Sequence, residues 1–179
     1  MRRLLLLFLA LAFFGTAMAQ RIRSDRTKEG IRSIQASEHN FFLSKQQCYV
    51  SLSSFVNGCQ HDTIYTIDVN AYLNNTDSCK LTFTLFDEEE ISLIMASKSD
   101  DYNMIHAQPL MDLLFGATII RRFIITKEQM DKIFSKGVLG IELTDGIENH
   151  WHSWKKDKLG VFLKRSYDKI QERFKKKTA

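Results

Sequence analysis

Proline and glycine are scarce in this chain of 179 residues, which has one proline, Pro109, and eight glycines. Flexible linkers and disordered chains are typically rich in these residues and poor in apolar ones. Here 44% of the residues are hydrophobic. The composition therefore excludes a linker-rich or disordered protein and predicts one folded domain with a sizeable core.

Cysteine is also scarce, with Cys48, Cys59 and Cys79 as the three in the sequence. Three cysteines are too few for a disulfide-built scaffold, and an odd number leaves at least one thiol unpaired in a monomer. Cys48 and Cys79 occupy the inward phase of predicted strands. We expect either two buried thiols or a bridge between Cys48 and Cys79, and a strand between them would hold them about 10 Å apart, too far for a bridge.

Several catalytic signatures are missing from the sequence. It contains no Gly-x-Ser-x-Gly, no His-Glu-x-x-His, no Cys-x-x-Cys and no glycine-rich phosphate loop. These motifs mark serine hydrolases, zinc peptidases, thioredoxin-type redox proteins and nucleotide-binding proteins. Their absence favours a non-enzymatic protein without a bound cofactor.

Only one stretch of the sequence is a long apolar run, Leu4–Phe14. Its eleven residues are fewer than the roughly 20 that span a bilayer as a helix. Two arginines precede it, and the small-residue pattern Ala17-x-Ala19 follows it, as in a cleavable secretory signal peptide. We expect residues 1–19 to be removed and the mature protein to be secreted or periplasmic.

Apolar and polar residues alternate through much of the mature chain, which is typical of strands with one buried face. Six segments are predicted to be strands: Cys48–Val56, Thr63–Leu73, Lys80–Phe86, Ile91–Met95, Ala117–Ile125 and Val138–Leu143. We interpret residues 20–45 as a lead-in that ends in a short strand around Phe41–Leu43, and residues 46–179 as a single β-rich domain. The expected fold is α+β, an antiparallel sheet or sandwich of about six strands with one short and one long helix.

Two helices are predicted. Thr126 and Gln129 form the spacing of a capping box, and Gly137 is a suitable residue to end the short helix. The long helix, residues 155–176, has apolar residues at i, i+3, i+4 spacing along one side. We expect this apolar side to pack on the sheet.

Positive charge is concentrated at the C-terminal end. Residues 155–177 contain ten basic and three acidic residues, whereas residues 33–154 contain eight basic and sixteen acidic residues. A basic amphipathic helix is also typical of weak contact with an anionic membrane surface, so 155–177 is a candidate for that role. Nucleic acid is not an expected partner.

The best chemical candidate is the segment Glu148–His152. In an extended chain His150 and His152 point to the same side, with Glu148 beside them, and such a set can bind Zn²⁺. The alternative is a surface loop with exposed histidines. The neighbouring Trp151 and Trp154 either stack on a sugar ring or anchor the loop to the core.

The apolar strand, acidic turn and second strand of Leu81–Leu93 resemble the hairpins of small secreted β-rich bacterial proteins. The pattern of Phe123–Phe134 followed by Val138–Leu143 resembles them as well. Because those proteins are largely uncharacterised, the resemblance implies a β-rich fold and export but no site residue.

We therefore expect a secreted or periplasmic, non-enzymatic binding module whose partner is an envelope or extracellular protein or a glycan. One alternative is a small zinc-dependent enzyme or metal-binding protein that uses His150 and His152. The other is an envelope-surface accessory protein that acts through its basic C-terminal helix.

Overall fold

The computed structural model describes residues 20–28, 30–44, 46–57, 63–71, 79–96 and 119–178. The predicted signal peptide and Cys59 lie outside these residues. Ten strands are formed in the described part: β1 (Ile22–Lys28), β2 (Ile31–Ala36), β3 (His39–Leu43), β4 (Gln46–Asn57), β5 (Thr63–Ala71), β6 (Lys80–Leu85), β7 (Glu90–Met95), β8 (Ile119–Ile125), β9 (Val138–Thr144) and β10 (Asn149–Ser153). Two helices accompany them, α1 (Lys127–Lys136) and α2 (Leu159–Thr178).

All the strands belong to one sheet with the order β1-β2-β4-β5-β8-β7-β6-β9-β10, and β3 pairs with the N-terminal half of β4. Every pairing is antiparallel. The sheet curls, because β10 at its far end returns to β3. There the amide of Ser44, directly after β3, donates to the carbonyl of Trp151 on β10 at 2.9 Å.

The core lies between the inner face of the curled sheet and helix α2. Leu52, Ile67 and Phe123 face one another across β4, β5 and β8, and all three are buried. Helix α2 contacts β1, β2, β4 and α1. Leu159, Leu163, Ser166 and Ile170 are buried, as is Gly160 in the first turn. The apolar stripe predicted from the sequence is therefore packed in the core.

The predicted capping box of helix α1 is confirmed. The Gln129 amide donates to Thr126 Oγ1 at 3.2 Å, and the Thr126 amide donates to Gln129 Oε1 at 2.9 Å. Gly137 ends the helix with φ 74°, in the left-handed region that favours glycine. Neither α1 nor α2 is long and apolar enough to cross a membrane, and the described residues contain no other helix.

The predicted strand count of about six is wrong, because the described residues form ten strands, although the α+β class is right. The six predicted segments correspond to β4–β9, and the others are β1, β2, β3 and β10. Strands β1, β2 and β3 lie in residues 20–45, which we expected to be a lead-in, and β3 is the short strand expected around Phe41–Leu43. Strand β1 reads IRSDRTK and is mostly exposed. Charged residues are typical of strands at a sheet edge, where they prevent further pairing, and they conceal the apolar alternation.

Helix α2 begins at Leu159 rather than near residue 155. The reason is Asp157, whose Oδ1 accepts from the amide of Gly160 in the first turn at 2.7 Å. The same oxygen accepts from the amide of Val138 at the start of β9, at 3.1 Å. One carboxylate thus satisfies a free helix amide and ties the helix to the sheet.

Candidate functional site

A row of four side chains crosses the outer face of the sheet from β10 to β7. Trp151 lies opposite Glu142 on β9, Glu142 lies opposite Thr82 on β6, and Thr82 lies opposite Ser92 on β7. Residues that are directly opposite in a sheet share a face, so we call these four residues the outer row. Three strand intervals make it about 14 Å long.

The outer row combines one aromatic surface with several hydrogen-bonding groups. The Trp151 side chain is 63% exposed. Glu142 is half-buried and Ser92 is exposed. Thr82 is buried as the floor between them, with its hydroxyl 3.2 Å from the Ser92 hydroxyl. An indole face can stack on a flat apolar surface, while carboxylate and hydroxyl oxygens can orient polar groups.

A second exposed aromatic ring lies beside Trp151 where β3 meets β10. The Trp151 amide donates to Ser44 Oγ at 2.8 Å, in addition to the bond from the Ser44 amide to the Trp151 carbonyl. Phe42 is two residues before Ser44 on β3, and its ring is 62% exposed. The two hydrogen bonds that join Ser44 to Trp151 therefore also place the Phe42 and Trp151 rings at the same seam.

Trp154 has the opposite environment from Trp151. It is only 7% exposed, and its ring lies 5.2 Å from that of Phe41 and 4.5 Å from that of His152. On the other side of Phe41, the His39 ring is 5.0 Å from that of Phe162 on α2. We call these five residues the aromatic cluster. Of the two tryptophans considered for sugar stacking, Trp154 anchors the chain and Trp151 is available.

The two histidines predicted to bind zinc, His150 and His152, have different surroundings in the structure. His150 Nε2 is 3.9 Å from Glu148 Oε2 and 3.7 Å from Asp145 Oδ2. His152 instead packs in the aromatic cluster. Among the described residues, no group of three or more His, Cys, Asp or Glu side chains is arranged to hold a metal ion. Zinc binding by His150 and His152 stays a prediction, which a zinc titration of the purified protein would test.

Cys48 and Cys79 are both buried, and no bond joins them. Cys48 is on β4 and Cys79 directly precedes β6, and three strands separate β4 from β6 in the sheet. Burial raises the pKa of the Cys48 thiol to about 12. Because the thiolate is the reactive form, this thiol is not a nucleophile at neutral pH.

A buried ion pair lies on the outer side of the sheet between β5 and β8. Arg122 Nε and Nη2 donate to the two carboxylate oxygens of Asp68 at 2.8 and 3.1 Å. The hydroxyls of Ser53 and Thr66 also donate to Asp68, at 2.8 and 3.0 Å. The Arg122 guanidinium lies 4.7 Å from the centre of the Phe55 ring. All the donors converge on one carboxylate, so we interpret this network as structural.

The aromatic cluster contains a histidine with an altered protonation equilibrium. Burial lowers the pKa of His39, and the positive charge of Lys158 and the neighbouring His152 lower it further. His39 connects β3 to α2 through its contact with Phe162. The neutral imidazole is therefore the form that suits the folded state.

We expect the stability to fall as the pH falls below about 6.5, the ordinary pKa of histidine. In that range the unfolded chain binds a proton at position 39 more readily than the folded chain does, and this favours unfolding. His39→Phe removes this titrating group, so its melting temperature should fall less than that of the wild type when the pH is lowered from about 8 to about 5. An identical difference at both pH values would contradict the assignment to His39.

No protein-family model matches this chain, and comparison with curated proteins and with solved structures found no match either. The candidate site therefore depends on the chain's own geometry. Sequence reasoning considered Trp151 but missed its three partners in the outer row and Phe42. The alternation pattern does place Thr82 on the polar face of its strand. The alternation pattern contains no signal that β9 lies between β6 and β10. That strand order is what brings the four residues of the outer row into line.

Proposed function

We propose that this protein is a secreted or periplasmic, non-enzymatic binding module that recognises a glycan on the outer face of its sheet. The observation that carries the proposal is Trp151, whose side chain is 63% exposed at the head of the outer row. Export is supported by the signal-peptide pattern in residues 1–19. The non-enzymatic part is supported by the missing catalytic motifs in the sequence.

A glycan suits the chemistry of the outer row better than a protein does. Core positions of protein interfaces are depleted of charged residues, and stable interfaces bury more than about 1,000 Å². Here Trp151 is followed by a carboxylate and two hydroxyls rather than by further apolar side chains. A sugar presents an apolar ring face together with hydroxyl groups, and it can use both kinds of contact.

The shape of the site favours an extended oligosaccharide over a single sugar. The outer row runs across four neighbouring strands, and Phe42 adds a second aromatic surface at its Trp151 end. Reciprocal hydrogen bonds between Ser44 and Trp151 hold together the strands that carry Phe42 and Trp151 before any ligand binds. Such preorganisation reduces the entropic cost of binding.

Trp151→Ala is expected to weaken glycan binding by about thirtyfold, equivalent to about 2 kcal/mol, since exposed tryptophans often dominate a binding surface. A glycan array with the mature chain would identify a ligand, and calorimetry would measure its affinity for wild type and variant. Phe86→Ala is the matched control, because Phe86 is an exposed aromatic residue in the turn after β6, away from the row. We expect it to leave the affinity unchanged.

Two results would refute the glycan proposal. One is an array on which the folded wild type binds no glycan. The other is binding that is equally strong in Trp151→Ala, which would place the ligand elsewhere on the molecule. Circular dichroism of each variant would verify that its fold is intact.

A further inference from the structure

A charged groove of about 470 Å³ lies between the edge strand β1 and the C-terminal part of α2. Its size is within the range of small-ligand sites, about 300–1,000 Å³. The groove is lined by Ile22, Arg23, Ser24, Asp25, Lys169, Glu172, Arg173 and Lys176. Four of these residues are cations and two are anions, and they come from both elements. One of the cations, Arg23, forms an ion pair with Glu38 outside the groove lining, so its charge is already balanced.

The two acidic residues neutralise only part of the positive charge. Asp25 accepts hydrogen bonds from two guanidinium groups, those of Arg32 at 2.9 Å and Arg173 at 2.8 Å. Glu172 is likewise shared by two ammonium groups, those of Lys169 at 2.7 Å and Lys176 at 3.0 Å. One carboxylate can balance one cation, so each of these two sets retains one positive charge.

The Glu172 carboxylate is held in its ionised form and cannot add to the positive charge by taking up a proton near neutral pH. The hydrogen bonds from Lys169 and then Lys176 lower the pKa of Glu172 to about 2. Asp25 is almost completely buried beneath Arg32 and Arg173. The excess charge therefore belongs to the basic side chains themselves, and it faces an open concave surface.

We propose that this groove binds a phosphate ester carrying two negative charges. A dianion matches the two excess positive charges, and phosphate oxygens accept well from guanidinium and ammonium donors. A long polyanion fits less well, because the exposed carboxylate of Glu172 lies among the cations and would repel it. The site shares no residue with the outer row, so it is independent of the glycan proposal.

The test measures binding of inorganic phosphate by NMR titration, and binding of vesicles by sedimentation. The double variant Lys169→Gln/Lys176→Gln removes two charges at the groove. Lys155→Gln/Lys156→Gln is its control, because it removes the same charge from exposed residues before α2. We expect the groove variant to bind phosphate about tenfold more weakly and the control to change affinity less than about twofold.

Vesicles containing phosphatidic acid, compared with phosphatidylcholine alone, identify the source of the phosphate. Binding of phosphate and of phosphatidic acid vesicles, both reduced in the groove variant, assigns the ester to a lipid headgroup. Binding of phosphate alone assigns it to a soluble compound. Equal losses in the groove variant and its control, or no saturable binding by the wild type, would overturn the proposal.

Discussion

Replacing Asp68 by alanine is expected to lower the free energy of unfolding by about 3–5 kcal/mol. The variant leaves the Arg122 guanidinium, which is 9% exposed, without its carboxylate partner. An unpaired charge in such a position is costly, because the protein does not replace the water that the charge has lost. The hydroxyls of Ser53 and Thr66 lose their acceptor as well. Urea denaturation with a two-state fit would measure the loss.

The double variant Asp68→Ala/Arg122→Met separates the cost of the stranded charge from other effects. If the charge is responsible, the double variant should be more stable than Asp68→Ala, since removing both ions also removes the desolvation penalty. Glu172→Ala, which breaks ion pairs on the exposed side of α2, should change the stability little. Strictly additive losses at positions 68 and 122 would show that the ion pair is not the source of the effect.

Leu163→Ala should destabilise the fold by about 2–5 kcal/mol through lost burial and the cavity left behind. Leu163 is 1% exposed on the side of α2 that faces the sheet. The expected loss of stability in Leu163→Ala tests whether α2 is packed on the sheet in solution or is available to contact a membrane surface. Thermal and urea denaturation of the purified variant would measure it.

Val161→Ala is the control for this variant, because Val161 is exposed on the same helix. Alanine is the better helix former of the two, so the control should be as stable as the wild type. A Leu163→Ala protein with unchanged stability would contradict the packed position of α2.

The parts of the fold that follow local rules could be predicted from sequence. The capping box of Thr126 and Gln129 and the helix end at Gly137 depend on residues a few positions apart, and both were predicted correctly. The apolar stripe of α2 was also recognisable from its spacing. Strands β1 and β10 could not be recognised from the sequence, because charged and polar residues at an edge or a seam do not alternate clearly with apolar ones.

The candidate sites depend on contacts between distant parts of the sequence. Trp151 and Ser44 are 107 residues apart, and Arg173 and Asp25 are 148 apart. Arg122 lies with Asp68 in a buried network, and nothing in the local sequence around Arg122 indicates this partner. Its partner is 54 residues away and on a neighbouring strand only because β8 pairs with β5.

The sequence by itself determined the α+β class, the short capped helix, the packed side of the long helix and the excess of positive charge near the C-terminus. These properties arise from residue type and from spacings of two to four positions, which are the same in any tertiary context. Only the tertiary structure decided the number and order of the strands, the exposure of Trp151 against the burial of Trp154, and the groove between β1 and α2. Those properties depend on which strands become neighbours, and that choice is made by burying the whole core at once.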